Sequence, residues 1–158
     1  MQHDLDLFGA DVTWFHLFRS MIQSGQIAEL GTSVFAVYCV VKSHSNFQTG
    51  TSFVSVSRIG ELTGLGKRAV LNCMAKLKEK NLIHVEKIGR QNYYRINEHL
   101  PVVDSNKNQV GTFSFEYQPT KIVQIKQELE QFLKHGIPQN ARVTININQA
   151  EVINIQNN

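Results

Sequence analysis

Lys67, Arg68, Asn72 and Lys76 carry the clearest chemistry in this sequence. Val70, Met74 and Leu77 recur among them at i, i+4 and i+7, which predicts a helix from about Lys67 to Lys80 with a narrow inward stripe. The four polar side chains then share the outer side. A guanidinium is a rigid fork of donors, and a primary amide offers a donor beside an acceptor. Those are the patterns that meet guanine N7 and O6, and adenine N6 and N7. Lysine ammonium groups suit phosphate oxygens. Arg90 and Gln91 add polar groups at a turn between two predicted strands, and Ser57 stands at the start of a short helix.

The charge distribution points the same way. Between Ser55 and Arg95 the basic residues are Arg58, Lys67, Arg68, Lys76, Lys78, Lys80, Lys87, Arg90 and Arg95, and the acids are Glu61, Glu79 and Glu86. Nine minus three is +6 for this segment; the whole chain carries +3, so the remainder carries −3. One segment holds the positive field, as in a surface that meets a polyanion.

Other chemistry finds little support. The histidines, His3, His16, His44, His84, His99 and His135, show no zinc-ligand spacing with cysteines or acids, so no metal or cofactor is expected. Cys39 and Cys73 sit in helix-forming apolar sequence, as buried thiols of a reducing compartment would. No glycine-rich phosphate loop, nucleophile elbow or paired carboxylates occur, so no catalytic residues are expected. Met1-Gln2-His3-Asp4 has neither a basic nor an apolar leader, and no apolar run is long enough to span a bilayer. The chain is expected to be cytoplasmic, with no membrane association.

The elements around these residues follow from periodicity. Asp11 is a candidate cap for a helix over 12–24 bearing Trp14, Phe15, Phe18, Met21 and Ile22, an apolar surface for core or dimer contacts. A helix from Ser33 to about Lys42 is apolar almost all round and therefore central. Ser43 to Ser52 is a polar loop, and Phe53-Val54 a short strand. Ser55 or Ser57 caps a two-turn helix that turns Ile59 and Leu62 inward, and Gly64-Leu65-Gly66 is a tight turn. Asn81 ends the following helix. Leu82 to Ile88 and Tyr93 to Ile96 are strands of a hairpin with a basic tip, Pro101 closes this part, and 103–109 reads as a linker. Beyond it come a strand at 112–117, a helix from Pro119 bearing Ile122, Ile125, Leu129, Phe132 and Leu133, a stop at Gly136 and Pro138, a strand with Val143, Ile145 and Ile147, and a further one at 152–155.

The order helix, short helix, tight turn, helix, strand, basic turn, strand resembles the winged helix-turn-helix superfamily of bacterial DNA-binding regulators. The resemblance rests on Ile59 with Leu62, Thr63-Gly64-Leu65 before the second helix, Val70 to Leu77, Asn81-Leu82-Ile83 and Tyr94. It covers about residues 32–97. The stretch Ser45 to Leu65 also resembles winged helices of phage and plasmid replication proteins. Gly66 departs from the family, which usually has a Ser or Thr cap there, and the wing is short. The fold class expected is α+β, mainly α: a winged-helix domain over 11–100 and a C-terminal β-α-β region over 110–156.

The resemblance implies sequence-specific binding of double-stranded DNA by Ser57, Lys67, Arg68, Asn72, Lys76, Arg90 and Gln91. A dimeric transcriptional regulator is the first reading. A plasmid or phage replication factor on origin repeats is the second, and a protein-binding winged helix without DNA the third. The Asn- and Gln-rich C-terminal region is expected to pair with a second copy or to dock another protein.

Overall fold

A computed structural model describes residues 13–135. The Asp11 cap, the stop at Gly136 and Pro138, and the strands expected at 143–147 and 152–155 fall outside the described residues. Two short helices, α1 (Arg19–Gln23) and α2 (Gln26–Leu30), lead into α3 (Thr32–Ser43). Helices α4 (Val56–Thr63) and α5 (Lys67–Glu79) follow, then strands β1 (Ile83–Ile88), β2 (Gln91–Val103) and β3 (Gln109–Glu116). A 3-10 turn, Pro119–Lys121, opens α6 (Ile122–His135). The strands form one antiparallel sheet in the order β1-β2-β3.

Helix α3 is central, as its composition predicts. Val34, Val37, Tyr38 and Val41 are buried, with Phe35, Cys39 and Val40 half-buried against the same core. Helices α4 and α5 pack on it through Ile59, Val70, Met74 and Leu77, and the sheet closes the core with Ile83, Tyr94 and Ile96. Ser55 caps α4, its hydroxyl accepting from the Arg58 amide at 3.1 Å. Gly64 ends α4 in the left-handed conformation at φ 72°, and Asn81 takes φ 55° after α5.

The segment before α1 departs from the expected helix. Residues 13–18 carry no helix, and α1 begins only at Arg19. Their β-branched and aromatic residues suit an extended strap on a pleated surface. Trp14 packs edge-on to Phe47 at 5.9 Å, Phe18 edge-on to Phe115 at 5.8 Å, and His16 edge-on to Tyr117 at 5.9 Å. These alternate contacts follow a period of two and outweigh the weak helical signal.

The strap adds a pH-sensitive contact. The Tyr117 hydroxyl accepts from the His16 amide at 3.0 Å and lies 3.1 Å from His16 Nδ1, to which it can donate only while the imidazole is neutral. Burial, and then the nearby Lys42 ammonium, hold the His16 pKa below its ordinary value of 6.5. The unfolded chain therefore binds this proton more readily. The contact's full stability is present above pH 6.5 and falls as the pH drops from there through the folded-state pKa. Denaturant titrations from pH 8 to pH 5 should show that decline, and His16→Gln should flatten it. An unchanged slope in the variant would assign the decline to other groups.

Three further expectations are corrected. Leu62 is 46% exposed rather than inward; Ile59 and half-buried Leu65 make the helix crossing instead. Gly60 permits the close approach, because a Cβ there would stand 2.8 Å from the Leu65 carbonyl oxygen. The second correction concerns 103–109, which is no linker. Asp104 accepts from the amides of Asn106 and Asn108, each at 2.8 Å, and this turn joins β2 to β3. Pro101 lies inside β2 opposite Thr112, where β2 has run past β1 and no ladder on that side needs its missing N–H. Phe53 and Val54 form no strand; only Ser52 bridges to Tyr94.

Candidate nucleic-acid interface

Nine basic residues lie between Ser55 and Arg95, and the structure sorts them. Arg58 pairs with Glu61 at 2.9 Å, Arg95 lies between Glu86 (3.6 Å) and Glu116 (3.4 Å), and Lys80 pairs with Glu29. The Lys76 ammonium donates to the carbonyls of Leu30 (2.7 Å) and Glu29 (3.3 Å), where it satisfies the C-terminal end of α2. Nine minus these four leaves five: Lys67, Arg68 and Lys78 on α5, and Lys87 and Arg90 on the hairpin. Among the described residues, no hydrogen bond or ion pair engages the side chains of these five. Within this segment the uncompensated positive charge is thus gathered on one helix and one hairpin, while Arg19, Lys107, Lys121 and Lys134 are unpaired elsewhere in the described residues.

Helix α5 presents these groups because its apolar residues leave no choice of face. Val70, Cys73, Met74 and Leu77 are buried. Lys67, Arg68, Leu71, Asn72, Ala75 and Lys78 are exposed on the other side. Gly66 occupies the N-cap in extended backbone and offers no side-chain cap. The hairpin turns in two residues, Gly89 and Arg90, with Gly89 at φ 61°. Ile88 pairs with Gln91 across this turn, and Lys87 with Asn92, so Lys87, Arg90 and Gln91 share an exposed tip. Ser57 is exposed in the first turn of α4.

Six of the seven residues singled out from the sequence are therefore exposed: Ser57, Lys67, Arg68, Asn72, Arg90 and Gln91. Lys76 is half-buried and held by α2. Lys78, Lys87 and Leu71 extend the exposed set and were not singled out. Lys78 could have been found, since Lys67, Leu71, Ala75 and Lys78 follow helical spacing away from the buried stripe.

Little else offers chemistry. Burial pushes both the Cys39 and Cys73 thiols up, toward the inert protonated form. Among the described residues, no group of three or more His, Cys, Asp or Glu is placed to hold a metal ion, and no helix is long and apolar enough to cross a membrane.

Helices α4 and α5 with the β1–β2 hairpin define a winged helix-turn-helix in which β2 runs on to pair with a third strand. Residues 28–83 match the family model described as a helix-turn-helix domain. Among solved structures, the peroxide stress regulator of Campylobacter jejuni is similar at 12% identity, over 78% of this chain and 90% of that one, with a TM-score of 0.36. NolR from Sinorhizobium fredii is similar at 14% identity, over 78% of this chain and 98% of that one, with a TM-score of 0.29. No curated protein matches the chain.

Proposed function

We propose that this chain binds double-stranded DNA sequence-specifically as a transcriptional regulator. The observation that carries the reading is the gathering of five uncompensated cations on α5 and the hairpin tip. An α-helix fits the major groove of B-DNA. With α5 seated there, Arg68 meets guanine and Asn72 adenine, while Lys67 and Lys78 reach phosphates. Ser57 hydrogen-bonds a phosphate from the N-terminal turn of α4, and Lys87, Arg90 and Gln91 lie on the neighbouring backbone. Lys76 contributes by holding α2 against α5. No catalytic step is involved; the mechanism is occupancy of a site. A homodimer is part of this reading. Helix α6 exposes Val123 (69%) and Leu133 (58%) and leaves Ile122, Ile125 and Leu129 half-buried, an apolar surface suited to a second copy.

Selection of bound sequences from a random duplex pool tests this reading. The expected result is one enriched site with two-fold symmetry. Its affinity should fall with salt at a log–log slope of about −0.9 per phosphate contacted. Arg68→Ala should cost about 1–3 kcal/mol on that site and relax its sequence preference, while Lys67→Ala should weaken all sequences alike. No retardation of any duplex in dilute buffer would overturn the reading, and an asymmetric single site would remove the dimer.

A further inference from the structure

Leu71 is 47% exposed at the middle of α5, one helical turn from Arg68 and one from Ala75. The buried stripe of α5 is complete without it, and its neighbours on the outer face are Lys67, Arg68, Asn72 and Lys78. A large apolar side chain there breaks an otherwise polar, cationic surface. Together with Ala75 it makes an apolar strip along the part of the helix that a groove would cover.

We infer that Leu71 is a specificity-determining residue that reads the C5-methyl group of a thymine in the major groove; the inference rests on the DNA-binding reading above. Of the groups that base pairs present in that groove, the thymine methyl is the apolar one. Against the cytosine amino group at the same depth, the Leu71 methyls would cover a donor and give it no acceptor. Against phosphate they would gain nothing. Thymine is thus the base at which burying this side chain is favourable, and Arg68 and Asn72 fix the register that brings it there.

The experiment uses the full chain and the duplex enriched from the random pool. Each thymine is replaced in turn by deoxyuridine, which removes the methyl and keeps the Watson–Crick edge and the O4 acceptor. Dissociation constants are read by fluorescence anisotropy at one salt concentration. One replacement is expected to weaken binding by about three- to tenfold, the scale of one buried methyl. In Leu71→Ala the same replacement should cost nothing, and in Leu71→Met the sensitivity should return. Leu71 lies outside the buried stripe of α5, so thermal midpoints of both variants should stay close to the parent. Tight, selective binding with no deoxyuridine position that depends on Leu71 would overturn this inference and leave the DNA-binding reading standing. Absence of duplex binding would overturn both.

Discussion

Replacing Glu98 by alanine is expected to lower the unfolding free energy by about 3–5 kcal/mol, the scale for stranding one member of a buried ion pair. Glu98 is 4% exposed on β2, and its partner Lys42 is fully buried on α3. The Tyr38 hydroxyl also donates to Glu98 Oε1, at 3.1 Å. The Lys42 ammonium stands 4.3 Å from the Tyr117 ring, with Phe18 and Tyr38 at 5.6 and 5.4 Å. Burial pushes the lysine pKa down and the glutamate pKa up, and each partner's charge opposes the other's shift. Without Glu98, the ammonium keeps aromatic faces but no counter-charge. Converting both residues together, Lys42→Met with Glu98→Leu, should cost far less than the two single changes summed, because no charge is left behind. Urea denaturation of the four proteins closes the cycle. Strict additivity would show that the two groups are not energetically coupled. The pair also bears on the proposed interface: it fixes α3, which carries α4 and α5, to the strand that makes half of the wing. Glu98→Ala should therefore loosen the angle between α5 and the wing while removing no residue of the proposed interface.

How much of this was legible in the sequence depends on the range of the interaction. The α4–turn–α5 unit is local: Ser55 caps, Gly64 turns, Asn81 stops, and a repeat of apolar residues fixes the inward face. Arg68 and Asn72 could be placed outward from spacing alone. Pairing between distant segments could not. The loss of Lys76 to α2 depends on a contact with residues 46 and 47 positions earlier in the chain. The strap at 13–18 is extended because Phe115 and Tyr117 lie beneath it, about a hundred residues later. Asp104 to Asn108 has the polar composition of a linker, and the same composition serves a tight hairpin turn. Leu62 illustrates a smaller limit, since in an eight-residue helix one position decides between core and surface.

Gly50 supplies the second large effect, and its control lies elsewhere in the same chain. Gly50 and Gly64 both adopt φ 72°. A Cβ on Gly64 meets nothing within 4 Å, so Gly64→Ala should cost about 1–2 kcal/mol, the penalty for a left-handed alanine. A Cβ on Gly50 would overlap the Tyr117 carbonyl oxygen and lie 3.1 Å from its carbon and 3.3 Å from Gln118 Cα. All three are backbone atoms and cannot rotate aside. Gly50→Ala should therefore cost about 2–5 kcal/mol, conformational strain and overpacking together. The loop cannot retreat cheaply. Asn46 Oδ1 accepts from the amides of Gln48 and Thr49, each at 2.9 Å, the Asn46 carbonyl accepts from Gly50 at 2.7 Å, and Gln118 donates to the Gln48 carbonyl. Two residues on, Ser52 exchanges backbone hydrogen bonds with Tyr94 of β2, at 2.9 and 2.8 Å. A displaced Gly50 would pull on that bridge and, through Val54 and Ser55, on the cap of α4. Denaturant midpoints of the two alanine variants measure the difference directly. Equal losses would mean that the loop is not seated on Tyr117 at all. A larger loss at Gly50, accompanied by weaker duplex binding although no residue of the proposed interface has changed, would show that the loop positions the helix-turn-helix.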